Sequence, residues 1–232
     1  MTLKDELETW CADVFGSRWE ARSGINVPDA DSRLGLMNEA IELEGTVLYA
    51  DMADSTKMVD AKTAPRAAEI YKTFLHCAAR VIRSMGGTIT AYDGDRIMAV
   101  FVGDSKNTDA AKAALQLRWA VANIVMPQMQ RVYQNDTYVL NHVTGIDTSA
   151  LFVAKTGVRG ANDLVWVGRA ANHAAKLSTL PASYSYITDT VFQRLANSSK
   201  YSSDGILMWE AVRWNTFNDA LIYRSNWWWA FN

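Results

Sequence analysis

The chain predicts an α+β domain, an antiparallel-rich sheet with covering helices in the order βαββαβ, and three observations predict it. Apolar runs of strand length alternate with stretches of helical periodicity from Thr46 to Val167. Gly86-Gly87 and Asp93-Gly94-Asp95 fall where that order needs a helix stop and a hairpin turn. Two apolar runs meet an acidic residue: Thr46-Val47-Leu48-Tyr49-Ala50 leads into Asp51, and Asp95 precedes Ile97-Met98-Ala99-Val100-Phe101. Strand, helix and hairpin bring Asp51 and Asp95 together at one end of a sheet. Two converging carboxylates make a site for a divalent cation, and Mg²⁺ favours oxygen ligands completed by substrate phosphates. The plainer alternative makes Asp51 a helix cap and Asp93-Gly94-Asp95 an ordinary hairpin turn.

In chain order, Leu3, Leu7, Trp10 and Val14 share one face of a helix within residues 1–20. Residues 21–40 mix Gly, Pro, Asp and Ser and read as a surface connection. A strand at 45–51 is followed by a turn. A helix then runs from Pro65 to Met85, with Ala67, Ile70, Tyr71, Phe74, Ala78, Val81 and Ile82 at helical spacing. Strands follow at 88–93 and 97–102, then a helix from Thr108 to Met126 whose extent Pro127 limits. Strands at 137–147 and 150–155 precede a loop marked by Gly157 and Gly160, a short strand at 164–167 and a helix from Arg169 to Leu180. Residues 200–232 carry Trp209, Trp214, Trp227, Trp228 and Trp229, which either add edge strands or cover the sheet; the terminal Trp-Trp-Trp alternatively marks a contact surface.

Composition bounds the function. The net charge of -2 gives no electrostatic case for nucleic acid or an anionic membrane. Cys11 and Cys77 form neither a disulfide framework nor a metal motif, and His76, His142 and His173 have no zinc-site spacing. The start is charged, and no run reaches the roughly 18 apolar residues of a membrane helix, so a cytoplasmic protein is expected.

Taken together, Tyr49-Ala50-Asp51-Met52, Gly86-Gly87, Gly94-Asp95-Arg96-Ile97-Met98-Ala99-Val100-Phe101 and the spaced Gly168, Asn172 and Lys176 resemble the catalytic domain of class III nucleotide cyclases, over residues 44–193. That resemblance implies a ferredoxin-like domain active as a homodimer, with an N-terminal helix and connection at 1–43 and a Trp-rich extension at 194–232. It implies that Asp51, Asp95 and the Met52 carbonyl hold two divalent cations, Mg²⁺ or Mn²⁺. The backbone of Ala53, Asp54, Ser55 and Thr56 would hold phosphate oxygens. Asn172 would orient the ribose, and Lys176 would stabilise charge on the α-phosphoryl group from the other subunit. Two departures stand out. Lys176 replaces the usual Arg, keeping the charge and losing the planar fork. Ala91 and Val165 occupy the positions that read a purine, and neither side chain forms hydrogen bonds.

The same segments resemble more specifically the pyrimidine cyclases of bacterial Pycsar anti-phage systems, over nearly the whole chain. This implies conversion of UTP to cyclic UMP, with the product read by a separately encoded effector. Cyclic CMP from CTP, an adenylate cyclase with an unusual base pocket, and a silent nucleotide-binding domain are the alternatives. Tyr49 is the leading candidate to narrow the base pocket, with Tyr92, Asp93, Arg96 and Trp166 as further candidates; core packing is the competing role for Tyr49 and Trp166, and a salt bridge for Arg96.

Overall fold

The computed structural model describes residues 1–29 and 32–231. In chain order the described elements are α1 (Leu3–Gly16), β1 (Glu20–Ser23), β2 (Glu39–Met52), α2 (Ser55–Ala61), α3 (Ala64–Ser84), β3 (Thr88–Asp93), β4 (Arg96–Phe101), α4 (Lys106–Ala120), a π-helical turn (Val121–Val125), α5 (Met126–Val132), β5 (His142–Val158), β6 (Ala161–Val167), α6 (Arg169–Leu177), β7 (Ser185–Thr188), α7 (Asp189–Gln193), α8 (Asn197–Lys200), β8 (Glu210–Trp214) and β9 (Ala220–Ser225). The strands form one sheet in the order β3-β4-β2-β5-β7-β9-β8, with β1 beside β2 and β6 beside β5. Among the described residues only β1 with β2 and β5 with β7 pair in parallel. The α+β class and the βαββαβ order are therefore as the sequence predicts.

The axis of the sheet is the antiparallel β2–β5 ladder, running from Ala40 opposite Ala154 to Met52 opposite His142. Side chains alternate across it. Leu48, Ala50 and Met52 join Ile97, Ala99 and Phe101 in a core sealed by Ile70, Phe74, Ala78, Val81 and Ile82 of α3 and the alanines of α4. Val47, Met98, Val100, Leu151 and Val153 point the other way and pack under Ala170, Ala171 and Ala174 of α6.

Several expectations change. The strands at 137–147 and 150–155 are one 17-residue strand, because β2 supplies an unbroken ladder partner for all but its last residues. Pro127 does not limit the helix: the π-helical turn before it releases the backbone, and α5 restarts with proline in its first turn, where the missing amide costs nothing. The turn after Met52 holds α2, and the 21–40 connection contains part of β1. The Trp-rich end does both things open to it. β8 and β9 extend the sheet beyond β7, and Trp209 and Trp214 are buried. Trp227 and Trp229 pack against the core and Trp228 is half-exposed. Among the described residues no helix is long and apolar enough to cross a membrane.

His142 opens β5 fully enclosed, its ring 5.6 Å from that of Phe74. Burial, aided by the charge of Arg118, lowers its pKa to about 3. The unfolded chain therefore takes up this proton near pH 6.5 while the folded chain does not, so stability falls as pH falls from 6.5 toward 3. At pH 5 this amounts to about 2 kcal/mol relative to pH 7. Urea unfolding in the presence of a chelator should show a His142→Met variant losing that much less stability between pH 7 and pH 5 than the wild type.

Candidate active site

The acidic end of the site is built by cross-strand register. Asp51 lies opposite Arg96, which lies opposite Asp93, so the three side chains form one row on the face that α6 covers. Asp95 sits half-buried in the β3–β4 turn, where Gly94 takes the left-handed conformation (φ 60°) that favours glycine. Arg96 donates from Nε (3.0 Å) and Nη2 (2.9 Å) to Asp51 Oδ2. Burial nevertheless pushes the Asp51 carboxyl up from its ordinary value. Arg96 opposes that shift, and the negative charges of Asp95 and Asp93 add to it. Asp51 is thus an under-solvated carboxylate among like charges, which a further cation stabilises.

The row below reads Ala91, Met98, Tyr49, Gly145. Tyr49 is partly buried against the second core, with the Arg96 guanidinium carbon 5.9 Å from its ring centre. Burial raises its pKa. Packing and a place beside Asp51 are therefore both true of Tyr49. Arg96 is engaged in the salt bridge named as its competing role, and Tyr92 is exposed.

Beyond β2, the chain turns through Asp54, whose φ of 56° starts α2 and whose carboxylate pairs with Lys57 at 2.7 Å. The Ala53 amide donates to the Asn141 carbonyl at 2.9 Å, so it is committed to the fold instead of being free for a phosphate. The amides of Asp54, Ser55 and Thr56 donate to no acceptor among the described residues. Met52 has its side chain in the core and its backbone at the strand end.

Asn172 and Lys176 stand one turn apart on the exposed side of α6. Two glycines let that helix approach the sheet. A Cβ on Gly168 would lie 2.7 Å from the Ala150 carbonyl oxygen, and one on Gly145 would lie 2.3 Å from the Ala174 carbonyl oxygen and 2.6 Å from the Ser178 nitrogen. Below the helix lies a residue the sequence reading did not single out. Asp147 is wholly buried. Its Oδ1 accepts from Thr188 Oγ1 and Arg169 Nη2. Its Oδ2 lies 3.2 Å from Arg169 Nε, an ion pair, and 3.1 Å from His173 Nδ1, both at angles that fall short of hydrogen bonds. Burial pulls the His173 pKa down, against the raising effect of Asp147. An acid inside the apolar run 142–154 was the available signal, since a buried charge needs partners.

No hydrogen bond or ion pair joins Asp51 or Asp95 to Asn172 or Lys176 among the described residues. Trp166 is farther still. It lies opposite Val153, which lies opposite Ile41, ten residues before Asp51, about 33 Å along the strand at ~3.3 Å per residue. Its contacts are with the second core, the packing role foreseen as its alternative.

No protein-family model matches the chain. Among solved structures, it resembles the guanylyl cyclase Cya2 at a TM-score of 0.66 and 17% identity, over 79% of this chain and 91% of that one. It also resembles the adenylyl cyclase CyaB from P. aeruginosa at 0.62 and 21%, over 81% and 95%. The fold is thus that of the class III nucleotide cyclases. A uridylate cyclase of Xanthomonas perforans is 60% identical over 232 residues, the full length of both chains, and one of Burkholderia cepacia is 47% identical over 231 residues, 99% of this chain and 100% of that one. The chain belongs to the uridylate cyclase family and is a nucleotide cyclase.

The contact between α6 and β5 gives a direct test of how Asn172 and Lys176 are placed. Gly145→Ala adds one methyl against helix backbone, which cannot rotate away. It should cost about 1–3 kcal/mol in urea unfolding, and cyclase turnover should drop in the fraction that remains folded.

Proposed function

We propose that the protein converts UTP to 3',5'-cyclic UMP and pyrophosphate at two sites shared between the subunits of a homodimer, as a signal in anti-phage defence read by a separate effector. The observation that carries the substrate is full-length identity of 60% and 47% to relatives named uridylate cyclase. The local chemistry agrees with it. Ala91 leaves a purine edge without a partner, a desolvation cost of about 1–3 kcal/mol, and the Tyr49 ring in the same row occupies space a larger base would need.

The exposure of Asn172 and Lys176, and the absence among the described residues of a hydrogen bond or ion pair from them to Asp51 or Asp95, support a site shared by two subunits. Uncovered apolar surface supports the same reading. Leu3, Leu7 and Trp10 of α1 and Val165 and Val167 of β6 are all exposed. Across such an interface, Trp166 and α6 of one subunit face the acidic row of the other.

Two Mg²⁺ or Mn²⁺ ions fit the donor set of Asp51, Asp95 and the Met52 carbonyl, because Mg²⁺ is usually held by one or two carboxylates with the triphosphate completing its shell. When bound, the ions lower the pKa of the ribose 3'-hydroxyl and neutralise triphosphate charge. Metal at Asp51 would compete with the Arg96 guanidinium that now pairs with it, and the planar fork of Arg96 would then serve the substrate. Asn172 orients the ribose. The ribose 3'-hydroxyl gives its proton to solvent, its oxygen bonds to the α-phosphorus, and the bond from that phosphorus to the oxygen bridging to the β-phosphate breaks to release pyrophosphate. Lys176 meets the negative charge that grows on the α-phosphoryl oxygens.

The test incubates purified protein with each of the four ribonucleoside triphosphates and Mn²⁺ or Mg²⁺ and identifies products by mass spectrometry. Cyclic UMP should dominate; cyclic CMP in its place moves the reading to a cytidylate cyclase, and robust cyclic AMP ends the pyrimidine reading. Asp51→Ala and Asp95→Ala should each fold as the wild type does, judged by circular dichroism, and lose at least about 100-fold in turnover. Tyr49→Ala should reduce UTP turnover more than it weakens UTP binding measured by calorimetry.

A further inference from the structure

We propose that the β8–β9 turn is part of the catalytic apparatus, with Phe217 positioning the Lys176 ammonium; this rests on the reading of Lys176 as the cation that meets the α-phosphoryl group. The turn lies well beyond α6 in sequence, yet its geometry delivers Phe217 onto that helix. The Phe217 amide donates to the Trp214 carbonyl at 2.9 Å, and the Ala220 amide donates to the Phe217 carbonyl at 3.1 Å. Asn218 and Asp219 both take left-handed φ values, 52° and 51°, a conformation that Asn and Asp tolerate better than other side chains. Arg213 Nη1 donates to the Asp219 carbonyl at 3.1 Å and ties the reversal to its own strand.

The Phe217 ring is fixed on two sides. It stacks on Trp214 at 4.7 Å and meets His173 edge-on at 4.6 Å. Trp214 is buried with Leu177, Val143, Tyr186 and Ile222, so the platform is continuous with the core under α6. Lys176 Nζ lies 5.2 Å from the centre of the Phe217 ring. Lys176 has no carboxylate partner among the described residues.

That combination suits a cation that must meet phosphate. A lysine is a compact charge on a flexible stem and lacks the preorganised fork of arginine. A carboxylate would hold it in place and also neutralise it. An aromatic face attracts the ammonium while leaving its charge for the substrate. The ring therefore restricts where Lys176 points at no loss of its electrostatic effect, and His173 of the same helix packs on the same ring.

The test compares Phe217→Leu, which keeps apolar bulk and removes the π face, with Phe217→Tyr, which keeps the face. Phe217→Leu should lower kcat for cyclic UMP about three- to fivefold, the effect of one exposed cation–π contact, with KM for UTP unchanged and the unfolding midpoint somewhat lowered by the lost packing on Trp214 and His173. Phe217→Tyr should stay within about twofold of wild type on the same basis. By NMR, the Lys176 ε-methylene protons should show an upfield ring-current displacement that survives in Phe217→Tyr and disappears in Phe217→Leu. In a Lys176→Ala background, Phe217→Leu should add no further loss. An undisplaced Lys176 resonance in the wild type, or an equal loss from Phe217→Leu in both backgrounds, overturns the positioning role and leaves the cyclase reading intact. Wild-type turnover by Lys176→Ala itself overturns the assignment of Lys176 and the positioning role with it.

Discussion

The pairing of β2 with β5 fixes Asp51 and Tyr49 and the strand on which α6 rests. Its register places Asp51 opposite Val143, Tyr49 opposite Gly145 and Val47 opposite Asp147. A slip of one residue would turn Asp51 and Tyr49 into the helical core and bring Ala50 and Leu48 to the face under α6. The same slip would move Gly145 away from its close approach to the backbone at Ala174 and Ser178. The ladder is long, and each of its residues contributes to holding that register. The acidic row and the α6 platform are thus two consequences of one pairing.

Charge is distributed with a consistent logic around that frame. The two partly or wholly buried acids on the α6 face are both compensated, Asp51 by Arg96 and Asp147 by Arg169. They differ in what surrounds the pair. Asp147 is closed in by Thr188 and His173 and acts as a fixed anchor for the first turn of α6. Asp51 lies at the open end of a strand, beside two more carboxylates, with an arginine that is itself about one-third exposed. Lys176, on the other surface of α6, has no carboxylate partner among the described residues. One pair is closed in beneath α6 and the other is partly open to solvent.

Much of this was legible in the chain itself. Asp51 and Asp95 were readable as strand-end and turn acids because the apolar runs beside them are clean and Gly94 marks the turn. The covering helix α3 was readable because its apolar positions repeat with helical spacing between Pro65 and Gly86. The sequence misled where tertiary context overrode a local signal. Pro127 reads as a stop, yet the π turn before it absorbs the disruption. The segment 142–158 contains Asp147, Thr148 and Ser149, which look like a break between strands, yet Asp147 is buried and Thr148 is hydrogen-bonded to Thr46 at 3.0 Å. Partners distant in sequence, such as Arg169 for Asp147 or Phe217 for Lys176, carry no local signature at all. Ala53 illustrates the reverse case. Its motif suggests a free amide, and only the folded chain reveals the Asn141 carbonyl that takes it.

The central claim is that one subunit supplies the acids and the other supplies α6 to each site. It is tested most directly by mixing Asp95→Ala chains with Lys176→Ala chains, each carrying a different mass tag, and measuring cyclic UMP formation after subunit exchange. Random reassortment makes half the dimers mixed, and each mixed dimer holds one intact site and one doubly altered site, so the account expects recovery to about a quarter of the wild-type rate. Mixed dimers that are present by mass yet no more active than the two parent variants would contradict it.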